Sequence, residues 1–279
     1  MENTQETMVN VSTDQLTEAV ANAEKQVKKE EIKATQNTTT VQLPSNGLIN
    51  NSVTHVTLRR MTTMEFKTLH TSKDPNYLTD LLLSCIVDPV NIKSTDLHPK
   101  DIIYLLFILR YISTPNKLTE GFRCPRCRQV FEANVDIQSL DVDYYNGDKS
   151  NMFTFELPES GDKLTFRILS EGDLINVERT SNRQINQFKL EGEDAEWHTL
   201  ISKIAYQVTA KNDLEFEDFK SKVKYLESLS AYDFESFQNA YSDILESFGL
   251  NLDFYTTCDK CKEDVEVTAY IAPDFFRLV

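Results

Sequence analysis

Glycine is scarce in this chain, with seven among 279 residues, so long stretches are expected to be regular secondary structure rather than loop. No apolar run approaches the roughly 20 residues that span a bilayer. Met1-Glu2-Asn3-Thr4-Gln5-Glu6 has neither the basic start nor the apolar core of a secretory signal, so the expectation is a chain without a membrane-spanning segment, intracellular when made. Catalytic templates are missing as well: there is no His-Glu-x-x-His, no glycine-rich phosphate loop and no Gly-x-Ser-x-Gly. Four histidines, His55, His70, His98 and His198, are scattered, and abundant carboxylates alone nominate no acid–base pair. The chain is therefore expected not to be an enzyme. Basic side chains are also in deficit, 29 against 44 acidic for a net charge of −15, which weighs against nucleic acid as a partner. A local exception is the run holding Lys117, Arg123, Arg126 and Arg128 against Glu120, expected to pair with the acidic helices downstream or with an acidic partner.

Cysteine is sparse but patterned. Four of the five lie in two Cys-x-x-Cys pairs, Cys124-Pro125-Arg126-Cys127 and Cys258-Asp259-Lys260-Cys261, and the fifth, Cys85, sits in an apolar run as a small buried residue. Free thiols fit a reducing compartment. Zinc takes four soft or borderline ligands in a tetrahedron, and each pair delivers two thiolates without straining the backbone. Alternating apolar residues flank both pairs, Val130 to Ile137 after the first and Leu252 to Thr256 and Val265 to Ile271 around the second, so each is expected at the tip of a β-hairpin. Cys124, Cys127, Cys258 and Cys261 are accordingly read as the ligands of one structural zinc per chain, in a zinc ribbon. The rival readings are a redox pair, which would more naturally open a helix in a βαβ unit and would need one pair only, and a structural disulfide.

The fold class expected is α+β: a helical N-terminal domain plus a discontinuous four-cysteine zinc ribbon with an inserted β-hairpin and helical block. Residues 1–45 are polar and read as a flexible arm, with one helical stripe of Leu16, Ala19, Val20, Ala23 and Val27. Residues 46–119 read as a helical domain after a short strand over 53–60. Its helix starts are Thr62 with Glu65, Asp74-Pro75 and His98-Pro99, and the run Ile102–Ile112 is apolar enough for a core helix. Residues 120–170 and 250–279 form the zinc-ribbon and β domain, including a hairpin of 152–157 and 163–169 expected to extend the ribbon's sheet. Residues 171–249 form the inserted acidic domain, read as helices over 171–188, 194–207, 214–229 and 232–248, with Phe216, Phe219, Tyr225, Phe234, Phe237, Tyr241 and Phe248 as core and Trp197 as a packing residue.

One succession of segments carries a family likeness. Leu58-Arg59-Arg60-Met61-Thr62-Thr63-Met64-Glu65-Phe66, Leu81-Leu82-Leu83-Ser84-Cys85-Ile86-Val87-Asp88, Asp101 to Ser113 with its Leu109-Arg110-Tyr111-Ile112 end, and Phe122-Arg123-Cys124-Pro125-Arg126-Cys127 together resemble the baseplate hub proteins of T4-type tailed phages. The resemblance extends to about residue 135, and beyond it the second cysteine pair mainly carries it. It implies a structural subunit or assembly factor of the hub of a contractile tail's baseplate, made in the host cytoplasm, binding other phage tail and hub proteins, with a place in the virion tail and no enzyme activity. A zinc-ribbon nucleic-acid-binding regulatory factor, suggested by the arginines of the first pair, is the alternative, and an enzyme ranks third.

Overall fold

The computed structural model describes residues 38–71, 77–114, 118–271 and 275–276. The helical stripe within residues 1–37 and the Asp74-Pro75 helix start lie outside the described residues. The chain opens with strands β1 (Thr38–Gln42) and β2 (His55–Arg59), followed by helices α1 (Thr63–Thr71) and α2 (Tyr77–Cys85), strand β3 (Ile86–Asp88) and helix α3 (Pro99–Ser113). β1, β2 and β3 form an antiparallel sheet in that order, with Val41 opposite Val56. Thr38–Gln42 falls within the stretch read as polar arm, yet it is a strand whose Thr39 and Val41 point inward. Threonine is polar by composition and β-branched by shape, so β2 can recruit this segment although its hydropathy reads as disordered. The stretch 46–119 is thus mixed sheet and helix.

Local signals place the helices. At α1, Thr62 and Glu65 bond reciprocally as a capping box, and Arg59 grips the same carboxylate at 2.7 Å, holding Glu65 down at about 2. At α3, His98 is the N-cap: its Nδ1 accepts the Lys100 N–H at 3.1 Å, while Asp101 accepts the His98 N–H at 3.0 Å and reaches out to the Ser45 N–H at 2.9 Å. From Ile102 to Ile112 most side chains of α3 are buried, so this helix is the axis of the first core, as its composition predicts. That core also receives β1–β3, α2, Phe275, Phe276 and both cysteine-bearing hairpins.

A second core gathers β7 (Phe153–Glu156), β8 (Lys163–Phe166) and β9 (Val208–Lys211) with α5 (Glu193–Gln207), α6 (Phe219–Glu227) and α7 (Ala231–Glu246), and α4 (Glu171–Phe188) packs on α5. The hairpin β7–β8 does not extend the ribbon. It belongs to a four-stranded sheet ordered β10-β9-β8-β7, because Phe166 stacks on Phe153 and packs edge-on against Phe237 of α7. Nor is the acidic block wholly helical. β9 turns into β10 (Leu214–Glu215) through Asn212 and Asp213, both with positive φ, the two-residue turn that suits a hairpin's twist. A capping box between Asp218 and Ser221 then starts α6, later than helical periodicity alone suggests. Phe237, Tyr241 and Phe248 are buried and the other block aromatics pack around them, as expected of a core.

The cores meet along α3. Lys100 donates to the carbonyls of Leu245 and Phe248 at 2.5 and 2.9 Å, a cation on the C-terminal end of α7. His98 meets the Phe248 ring edge-on at 5.1 Å. The short strands β6 (Val142–Asp143) and β11 (Gly249–Leu250) pair beside this contact. Gly172 lies so close to Thr95 that an added Cβ would stand 2.3 Å from its Cγ2.

Burial of His98, with Lys100 and Lys203 nearby, lowers its pKa to about 3. Neutral His98 therefore contributes stability that is complete above the unfolded-state value near 6.5 and is lost as pH falls towards 3. The full swing is on the order of 5 kcal/mol. Urea midpoints between pH 7 and 3.5 should fall more steeply for the parent than for His98→Asn, which keeps a capping acceptor and cannot titrate; parallel profiles would contradict this role.

Candidate metal centre

Two hairpins carry the cysteines. β4 (Leu118–Arg123) pairs with β5 (Val130–Val135), and β12 (Asp253–Thr257) pairs with β13 (Asp264–Thr268); β4, β5 and β13 alternate buried and exposed residues and β12 half-buried and exposed ones, as the sequence pattern requires. Phe122 sits between them, edge-on to Phe254 at 5.6 Å and near Tyr270, while the Tyr270 N–H donates to buried Glu120 at 3.4 Å. Each hairpin closes in a six-residue turn with one set of bonds. The Cys124 N–H donates to the Gln129 carbonyl and the Arg128 N–H to the Cys124 carbonyl, both at 2.9 Å. In the second turn Cys258 N–H to Glu263 and Lys262 N–H to Cys258 repeat them at 2.9 Å.

Facing each other, the two turns bring all four sulfurs within 4.8 Å of one another. Cys124 Sγ lies 3.8 Å from Cys261 Sγ, and Cys127 Sγ lies 3.9 Å from Cys258 Sγ. Those separations are far from a disulfide's roughly 2.05 Å, and all four thiols are free. They match the edge of about 3.8 Å of a tetrahedron whose centre lies about 2.3 Å from each sulfur, the zinc–thiolate distance. Backbone amides already face the sulfurs: the Cys127 N–H, 3.5 Å from Cys124 Sγ, leads in drawing that thiol down to about 7. The Glu263 amide favours the Cys261 thiolate, but burial and the other three sulfurs push it up to about 12. The set can bind a metal ion, and four protein donors leave no position for substrate.

The sequence expectation of four cysteines at one place thus has a geometric counterpart. Cys85 is buried in the first core, apart from the cluster, with its pKa raised by that burial. Among the described residues no ion pair joins the basic run near the first turn to the helical block: Arg126 pairs with Glu263 of the second turn at 2.6 Å, with both side chains half exposed and the pair worth little in isolation. Sequence reasoning named Arg128 for its charge alone and passed over Lys262. Both follow the second cysteine of their pair and both hold left-handed backbone, φ 62° and 63°. Matching positions in the two motifs were the available signal. Because side chains other than glycine pay to adopt that conformation, Arg128→Gly is expected to raise stability by about 0.5–1 kcal/mol. A lower melting temperature would show that the arginine side chain contributes more than its strain costs.

A family model described as T4 bacteriophage base plate protein matches residues 34–277, taking in both cores and both hairpins. The chain belongs to this base plate family. Neither a search of curated proteins nor one of solved structures returns a match. Membership gives this base plate protein a structural role in a phage tail, in contact with other tail proteins, and bears out the T4-type base plate part of the likeness drawn from residues 58–127. The match also spans the second cysteine pair, which mainly carried the likeness beyond about residue 135. Among the described residues no helix is long and apolar enough to cross a membrane.

Proposed function

We propose that this base plate protein is a structural or assembly component of the hub of a contractile phage tail, acting by protein–protein binding, with one zinc ion held by Cys124, Cys127, Cys258 and Cys261. The observation that carries the reading is the family match over residues 34–277, joined to a four-thiol cluster with tetrahedral spacing. Zinc suits the donors because it is borderline-soft, has no geometric demand of its own and is closed off by four thiolates; its task here is to staple the two hairpins. The staple matters because the hairpins are far apart in sequence and each has only two strands, too few to be stable alone. All of the second core except Leu48 and Ile49 lies between them in the chain, so the metal closes a long loop and helps fix how that core hangs on the first. Binding, not turnover, is the work proposed, performed in the host cytoplasm during assembly and in the finished tail.

The test is genetic and structural. Infection with phage carrying a stop codon early in this chain should yield tails without complete base plates, and adding purified chain to such extracts should restore them. Complete, infectious particles lacking the chain would refute the proposal.

A further inference from the structure

The α4–α5 hairpin ends in a largely exposed tip. α4 finishes at Phe188 and α5 starts at Glu193, the two helices being joined side to side by Ser181 with Thr199 at 3.2 Å and Gln184 with His198 at 3.0 Å. Around this closed end three large apolar side chains stand in solvent: Phe188 is 61% exposed, Trp197 48% and Leu200 38%. Trp197 and Leu200 are three residues apart and share one face of α5. Trp197 lies 5.7 Å from Phe234 of α7, which fixes the indole's position without covering it. Expected as a packing residue, the chain's single tryptophan is half in water.

The rim of this patch is acidic. Glu191, Glu193, Asp194 and Glu196 are all exposed, with Lys189 the only basic residue between Phe188 and Trp197, and among the described residues no ion pair involves the four carboxylates. Acidic residues in a helix's first turn are ordinary, since they offset the helix dipole. Exposed Trp197 and Leu200 on one face of α5, with exposed Phe188 at the end of the neighbouring α4, are not ordinary, because water penalises them and soluble surfaces keep such groupings for partners.

We propose that this tip is a docking surface for a basic, amphipathic segment of another tail protein, one presenting apolar side chains to Phe188, Trp197 and Leu200 and lysines or arginines to the carboxylate rim. The inference rests on the reading that the chain works by binding tail proteins. Charge selects the occupant. A second copy of this chain, related by a twofold axis, would set the same four carboxylates against themselves, and like charges juxtaposed across an interface cost several kcal/mol. An acidic partner meets the same repulsion. A basic one gains from the rim in both encounter rate and orientation.

The experiment places a photo-reactive benzophenone amino acid at Lys203, one turn beyond Leu200, in the full chain expressed during infection, with the same probe at exposed Tyr255 on the ribbon as a comparison. Cross-links from position 203 are expected to map to a segment of another tail protein rich in Lys and Arg. Glu193→Lys combined with Glu196→Lys should reduce that yield by about tenfold, with the cooperative melt retained and its midpoint lowered only by the loss of two acidic groups from the first turn of α5. A cross-link to a second copy or to an acidic segment, an unchanged yield in the charge-reversed variant, or links from 255 but none from 203 would overturn the proposal. Absence of links to any tail protein from both positions would instead defeat the partner-binding reading, and this inference with it.

Discussion

Cys258→Ser is expected to release the metal and to lower the stability of the full chain by on the order of 5 kcal/mol. Zinc-finger peptides, which fold only with metal, gain about 10–16 kcal/mol from it. Here the two hairpins are partly held by other means, since Phe122, Phe131, Val265 and Val267 are buried in the first core, so the loss should be smaller than in a peptide. Cys258 itself is fully buried, and a serine hydroxyl in its place adds the cost of an unsatisfied polar group. Removing metal from the parent with a chelator should reproduce most of the effect, and the variant should be indifferent to chelator. Equal melting temperatures for parent and variant, each unmoved by chelator, would mean that the sulfur cluster holds no structural ion.

The second large effect is expected far from the metal. Asp101→Ala should cost about 3–5 kcal/mol, because it leaves two buried backbone donors without partners at about 1–3 kcal/mol each, besides removing a helix cap. The carboxylate is wholly buried and accepts the N–H of Ser45 from one oxygen and that of His98 from the other. One side chain thereby fixes both the start of the core helix α3 and the loop that follows β1. Burial raises its pKa while the two N–H donors oppose that shift, so the group is held by geometry rather than by a countercharge. Asp101→Asn, which keeps one accepting oxygen, should lose distinctly less. Urea denaturation of the three proteins decides it, and equal losses for Ala and Asn would point to charge rather than hydrogen bonding.

Much of the site was readable before the fold. Two identical spacings with alternating flanks require two hairpins of the same build, and the shared bonding of the turns at Cys124 and Cys258 is what that repetition predicts. The helix starts at Thr62 and His98 were equally legible, since capping is a matter of a few adjacent residues. Misreadings arose where an element depends on distant partners. β1 looks like an extension of a polar arm until β2 lies beside it. β9 and β10 interrupt what periodicity reads as helix, because a strand of four residues is defined by its neighbour β8 and by the Asn212-Asp213 turn rather than by its own pattern. The hairpin β7–β8 was found correctly and assigned to the wrong sheet, for alternation gives a strand its faces but does not name what covers them. Lys100 reaching the end of α7 has no sequence signature at all.

Native mass spectrometry of the chain gently purified from infected cells tests the central claim most directly, since one spectrum weighs metal and companion together. The account predicts the mass of the chain plus one zinc ion, travelling with a second protein of the phage tail. A metal-free chain whose cysteines are joined in disulfides, or a chain carrying nucleic acid in place of a tail protein, would contradict it.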